Sequence, residues 1–290
     1  MNSNKEITAL LRLIDDPDSE VYDTVASKLL HYGKEIIPNL EQLWEVTEDE
    51  DVQERIESLI HRVHFQDLQR DFLDWSNTKH PDLLRGAILV ARYQFPDLNV
   101  PAILAQFDQI RRNVWLELNS YLSPLEQVNV FSSILYNYYK LQGHELTDRD
   151  PKYFFINQVL ESKQGNPYTI GIIFLALCDI LDIPIFAVDV PRQFIFAYMD
   201  TLFSFLSPDS EVRQIQFFVD PLNGMVYMQS DVEAYLKKIN AGDSEQYFAP
   251  VPARRIIYKM LEDLSLCYRY RREEQKADEI QQLMNLLGDE

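Results

Sequence analysis

The stretch TIGIIFLALCDILDIPIFAVDV, residues 169–190, constrains the fold more than any other part of the chain. It comes nearest to a membrane span. Asp179, Asp182 and Pro184 interrupt it before it reaches the ~18 to 20 apolar residues that a bilayer requires. Its first half therefore predicts a buried helix. Past Pro184 the apolar period falls to two. PIFAVDV, FIFAYMD, IQFFVDP and MVYMQS are rich in Val, Ile, Phe and Tyr and read as strands. Asp220-Pro221-Leu222-Asn223-Gly224 supplies a turn between the last two. Upstream, YFFINQVLE predicts a short helix ended by Gly165-Asn166-Pro167. A helix followed by consecutive strands predicts an α+β domain, with an antiparallel sheet against one long helix.

The regions on either side are helical. Residues 1–95 carry apolar positions three and four apart, punctuated by Asp16-Pro17-Asp18-Ser19, Gly33 and Pro38. Shifting the register by 31 residues places Val21 on Val52, Val25 on Ile56, Leu29 on Ile60, Ile37 on Leu68 and Trp44 on Trp75. That period suits helical-hairpin repeats, and the region resembles HEAT-type repeats. Residues 96–250 form the mixed region, which opens with two helical patterns, VPAILAQFDQIRRNVWLEL and PLEQVNVFSSILYNYY. Residues 251–290 read as a helical hairpin that resembles a TPR unit. Ile256, Met260, Leu264 and Cys267 form one apolar face; Ile280, Leu283 and Leu287 form the other.

Charge and cysteine content narrow the function classes. The 290-residue chain carries a formal net charge of −19, which repels phosphate backbones and argues against nucleic acid as a partner. Cys178 and Cys267 lie within apolar helical patterns, as buried free thiols of a reducing compartment do. MNSNKEITAL has no signal-peptide pattern, so the expectation is a cytoplasmic protein with no membrane partner. Glu57, His61 and His64 near one helix face lack a fourth metal ligand, and His144 in HEL lacks the second histidine of a zinc-protease motif. No metal and no cofactor are expected. Arg254, Arg255, Lys259, Arg269, Arg271 and Arg272 cluster on this acidic chain, ready for either its own acidic repeats or an acidic partner.

The order of the mixed region carries the chemical question. A transglutaminase-like or papain-like core has a Cys opening its buried helix, a His at the start of a following strand, and an Asp or Asn orienting that His. The helix N-terminus lowers the thiol pKa and the His takes its proton. FFINQVLESKQGNPYTIGIIFLALCDILDIPIFAVDVPRQFIFAY and FVDPLNG together resemble the transglutaminase-like SirB family over roughly residues 85–290. That resemblance implies a Pro-Gly-His-Phe motif where this chain has Pro191-Arg192-Gln193-Phe194, so Gln193 stands where the histidine base is implied. An amide donates and accepts but does not titrate. No thiol opens the helix, and Cys178 lies about 13 Å further along it at 1.5 Å per residue. Thr169 is the remaining hydroxyl candidate beside Tyr168, and Asp220 keeps the position of the orienting carboxylate.

The resemblance thus implies a transglutaminase-like fold that has lost its triad, with Thr169, Gln193 and Asp220 as degenerate-site positions. Asn157, Glu161, Asn166, Tyr168 and Arg192 are expected to line the same cleft. Each has a purely local alternative: Gln193 as a strand-edge residue, Asp220 as a turn cap, Asn157 and Glu161 as partners of the backbone at the Gly165 break. The leading functional expectation is a pseudoenzyme that binds a protein or peptide partner. The alternative is a hydrolase or amide-handling enzyme with altered chemistry at Asp220, Glu161 or Thr169. The oligomeric state is open.

Overall fold

The computed structural model describes residues 2–200, 214–241 and 247–288. The chain divides into two compact units, 1–74 and 75–290. The first unit is helical. Helices α1 (Asn2–Leu11), α2 (Ser19–Leu30) and α3 (Ile37–Val46) precede the long α4 (Glu50–Ser76), which crosses the division. Asp18 caps α2 by accepting from the Glu20 N–H at 2.9 Å. The Arg55 guanidinium donates to the carbonyls of Ile14 and Asp16 and closes the first interhelical loop. Leu10, Ile14, Val25, Leu29, Ile36, Leu40, Ile56, Leu59 and Val63 form the core of this unit.

The 31-residue register is followed only in part. Residues 19–30 and 50–61 are both helical. The break at Gly33, where φ is +61°, has no counterpart one register later. There α4 runs uninterrupted through Leu68.

The second unit opens with α5 (Leu83–Gln94), capped by Asp82. Although its sequence continues the N-terminal pattern, α5 packs within this unit. Gly86 lies so close to Ile257 that a Cβ would sit 2.9 Å from its Cγ1. The Tyr93 hydroxyl donates to Glu279 Oε2 at 2.8 Å. Next come α6 (Val100–Glu117) and α7 (Pro124–Ser132). A capping box, in which Ser123 and Glu126 bond each other's backbone N–H, starts α7. A π-helical turn, Ser133–Tyr138, follows directly. A two-residue strand β1 (Gln142–Gly143) pairs in parallel with β2 (Gln164–Gly165) across α8 (Ile156–Ser162).

The buried helix of the sequence is α9 (Pro167–Ile180). It leads into β3 (Ile185–Val188), β4 (Ile195–Asp200), β5 (Gln214–Val219) and β6 (Val226–Tyr227), an antiparallel sheet in the order β3-β4-β5-β6. β6 is shorter than MVYMQS suggests. Met228 donates its N–H to Asp231 Oδ2, and α10 (Gln229–Lys238) begins there. Side-chain alternation sorts the sheet's two faces. Ile195, Ala197, Met199 and Phe218 share a core with Val232 and Leu236 of α10. Phe194 and Phe196 turn the other way, onto α9, where Phe174 lies 5.6 Å from Phe196 between ring centres. The chain closes with the helical hairpin α11 (Ala253–Tyr270) and α12 (Glu274–Leu287). Its two expected apolar faces are buried.

Among the described residues, no helix is long and apolar enough to cross a membrane.

Candidate functional site

Three segments meet around Gly171, in the second turn of α9. A Cβ there would lie 2.7 Å from Phe194, 2.8 Å from Phe196 and 3.3 Å from Pro221. The absence of a side chain lets the start of β4 and the turn after β5 both reach the helix. The start of α9, the 191–194 turn and the 220–224 turn are therefore neighbours, as the sequence order implies.

Their polar side chains are nevertheless engaged locally. Asn166 caps α9, its Oδ1 accepting from the Thr169 N–H at 2.9 Å. Thr169 is 0% exposed. Its hydroxyl donates to the Tyr153 carbonyl at 2.8 Å and lies 3.2 Å from Asn166 Oδ1. A nucleophile needs a lone pair aimed at substrate and a base within about 2.6 to 3.2 Å; this hydroxyl instead faces backbone. Asn166 Nδ2 and Asn157 Oδ1 are buried with no hydrogen-bond partner among the described residues. Glu161, one turn beyond Asn157 on α8, is exposed.

The 191–194 turn is fixed from three sides. Lys259 of α11 forms an ion pair with Asp189. The Tyr235 hydroxyl donates to the Pro191 carbonyl at 3.0 Å. The Tyr168 ring packs 4.9 Å from that of Phe194. Tyr168 also hydrogen-bonds Asp263, whose carboxyl burial raises above the usual range despite that bond. Gln193 donates its N–H to the Val190 carbonyl at 3.0 Å, which closes the turn. Its side chain is exposed and has no hydrogen-bond partner among the described residues.

Arg192 sits at the third position of the four-residue turn that the Gln193 N–H closes, Val190 to Gln193, with φ +61°. Proline followed by a positive φ is the type II pattern, which favours glycine. Glycine is also what the Pro-Gly-His-Phe resemblance implies here. A left-handed non-glycine residue costs about 1 to 2 kcal/mol, partly offset by glycine's larger loss of freedom on folding. Arg192→Gly should therefore stabilise the protein by about 0.5 to 1 kcal/mol. The check is a higher urea midpoint at unchanged m-value; a lower midpoint would show that the turn is not strained.

Asp220 anchors the other turn. Its carboxylate accepts from the Leu222 N–H at 2.8 Å, and its carbonyl accepts from Gly224 at 2.8 Å. The Tyr136 hydroxyl, delivered by the π-helical turn, donates to the Pro221 carbonyl at 2.7 Å. Gly224 is left-handed at φ +72°, and a Cβ would meet Ser132 Oγ at 2.3 Å. Burial raises the Asp220 carboxyl above its ordinary value, outweighing the hydrogen bonds from Leu222 and Asn223. The folded state therefore holds this proton more tightly than the unfolded chain. The stability this brings is complete below the unfolded pKa of about 3.9 and is lost as pH rises through the higher folded value. Asp220→Asn keeps the acceptor for Leu222 and should raise Tm near pH 7. The gain should shrink toward pH 4 in a calorimetric pH series, whereas an equal gain at all pH values would exclude the charge as its source.

Thr169, Gln193 and Asp220 thus lie on adjoining segments, but no hydrogen bond joins their side chains among the described residues. None of them lines the cavities bordered by Arg149, by Ile183 or by Phe155. Tyr136, Tyr235, Asp189, Lys259 and Asp263 hold these segments, and none of them is marked in the sequence as part of the site. No linear spacing ties Asp263 to Tyr168, so only the fold could reveal it. Part of the basic cluster is paired inside this unit, Lys259 with Asp189 and Arg271 with Glu273.

Cys178 is buried and burial pushes its thiol well up; the Cys267 thiol is pushed up to about 11. Neither is a ready thiolate at neutral pH. His144 stacks 4.2 Å from Tyr153 and bonds Asp148 at 2.9 Å. Among the described residues no group of three His, Cys, Asp or Glu side chains is placed to hold a metal ion.

Comparison with known proteins agrees with the mixed region's order. The transglutaminase-like superfamily profile matches residues 101–262. The UPF0162 protein of Xylella fastidiosa (strain Temecula1) is 24% identical over 229 residues, covering 72% of this chain and 76% of that protein. The UPF0162 protein YchA of Escherichia coli (strain K12) is 26% identical over 204 residues, covering 67% of this chain and 69% of that protein. No solved structure matches.

Proposed function

The chain belongs to the transglutaminase-like superfamily, and from that premise we propose that it is a pseudoenzyme of the SirB type that binds a protein or peptide partner. The observation that supports this most is the state of Thr169. It is fully buried, with its hydroxyl directed at the Tyr153 carbonyl. Position 193 offers an exposed amide that takes up no proton. The 191–194 turn, held from three sides, presents Arg192 and Gln193 to solvent as a fixed recognition feature. Helices at both ends of the chain, HEAT-like before the core and TPR-like after it, provide further extended surface of the kind used for peptide binding.

Thr169 variants test this reading. Thr169→Val removes the hydroxyl donor and should cost about 1 to 2 kcal/mol by leaving the Tyr153 carbonyl under-satisfied; Thr169→Ser should cost less. The purified full chain is offered a p-nitrophenyl ester, and separately a glutaminyl peptide with a primary amine. The expected result is no turnover above buffer for the wild-type chain and Thr169→Ser alike. Turnover retained in Thr169→Ser and abolished in Thr169→Val would overturn the proposal.

A further inference from the structure

The C-terminal end of α11 meets the loop that precedes α8 in a cleft apart from the site above. Arg149 stands on that loop and is exposed. Its guanidinium carbon lies 4.5 Å from the centre of the Tyr270 ring, and Tyr270 is itself 68% exposed. A cation–π contact of this kind holds the charge in place without using an N–H donor. Arg149 has no hydrogen-bond or ion-pair partner among the described residues. Arg271, the C-cap of α11, lines the same cleft. Its Nε donates to Glu273 Oε1 at 3.0 Å, and its Nη1 stands 4.0 Å from Asp150. Its Nη2 has no partner among the described residues.

The cleft holds a cavity of about 480 Å3, lined by both arginines with Thr147, Asp148, Asp150 and Tyr270. That volume lies within the ~300 to 1,000 Å3 range of ligand sites. The carboxylates in its wall are already engaged: Asp148 bonds His144 at 2.9 Å, and Asp150 pairs with Lys152 at 2.8 Å. Arg269 and Arg272 adjoin Tyr270 and Arg271 in sequence; both are exposed, and neither has an ion-pair partner among the described residues. A helix C-terminus favours cations, which accounts for Arg269, Arg271 and Arg272. It does not account for Arg149, which a segment remote in sequence brings to the same place.

We propose that this cleft binds an acidic segment of a partner protein, with an aspartate or glutamate carboxylate held by Arg149 and Arg271. A guanidinium offers a carboxylate two parallel N–H bonds. The Tyr270 contact orders Arg149 before the ligand arrives, which lowers the entropy lost on binding. The chain's net charge of −19 does not oppose this at close range. At 0.15 M salt the Debye length is ~8 Å, so a bound segment senses the arginines around it more than the distant carboxylates. The inference rests on the reading of the chain as a peptide-binding protein and gives that peptide its chemistry. The cleft shares no residue with Thr169 or the 191–194 turn, so its failure would leave the absence of turnover untouched.

The probe is a rhodamine-labelled glutamate-glutamate-leucine-glutamate-glutamate peptide, titrated against the full chain by anisotropy at 0.15 M salt. Arg149→Gln should weaken binding about ten-fold, as expected for one lost charge-assisted pair. Arg149→Lys keeps the charge but not the fork and should weaken it about five-fold. Tyr270→Ala removes the support of Arg149 and should weaken it about three-fold. Arg149 and Tyr270 are exposed, so these variants should keep the wild-type urea midpoint. Arg254→Gln removes the same charge at the other end of α11, about 25 Å away at 1.5 Å per residue, and should change binding less than two-fold. A peptide with lysine in place of glutamate should not bind. No binding at millimolar peptide, wild-type affinity in Arg149→Gln, or an equal loss in Arg254→Gln would each refute the cleft as the site. Displacement of the peptide by millimolar inorganic phosphate would overturn the assignment to an acidic protein segment and give the cleft to a phosphate instead.

Discussion

Gly171→Val destabilises the second unit by about 3 kcal/mol, the upper range for forcing extra methyl groups into a packed core. The position allows the chain little relief. An added Cβ meets the ring edges of Phe194 and Phe196 within 2.8 Å, and Pro221 at 3.3 Å. Those rings are themselves packed, Phe194 against Tyr168 and Phe196 against Phe174. Gly171→Ala gives a graded comparison. It gains up to about 1 kcal/mol of helix propensity against the same first contact, so its net cost is about 1 kcal/mol. The disturbance should also travel, because Phe194 adjoins Gln193. The Gln193 amide resonance should move in Gly171→Ala while resonances of the first unit stay in place. A valine variant as stable as wild type would mean that the helix does not contact the sheet here.

Trp75→Ala should lose about 4 kcal/mol, in line with deletion of a fully buried large aromatic side chain. Trp75 is 0% exposed. Its indole N–H donates to the Asp82 carbonyl at 2.7 Å, and its ring fills the space that Gly86 leaves open. Trp44, its counterpart in the 31-residue register, should behave differently. It is 37% exposed, and its indole N–H donates to Glu57 at 3.0 Å. Trp44→Ala should cost less than about 1 kcal/mol, as partly exposed side chains usually do. Urea titrations followed by circular dichroism compare the two without relying on the fluorophores being removed. Equal costs would restore the view that the two tryptophans hold equivalent places in a repeat.

That pair shows where sequence reading stops. Period and punctuation located the helices of the first unit, because amphipathic spacing and caps act within a few residues of each other. Whether Leu68 follows a break, as Ile37 does, depends on packing that the period does not encode. In the mixed region the reading went further. The buried helix, the four strands and the Asp220–Gly224 turn were legible from hydrophobic pattern and turn residues. The helix after β6 was not, since MVYMQS looks like a strand until the Asp231 cap and the Val232, Tyr235, Leu236 spacing are weighed against it.

The sequence by itself determined the chemistry available at each position: an amide at 193, a hydroxyl at 169, a carboxylate at 220, and no thiol at the start of α9. These are properties of single side chains and need no fold. Only the tertiary structure decided where those groups point. Thr169 turns to a carbonyl sixteen residues upstream, Asp220 to its own turn, and Gln193 to solvent. A hydrogen bond depends on distances of a few ångströms between segments remote in sequence, and only the packed chain fixes those distances.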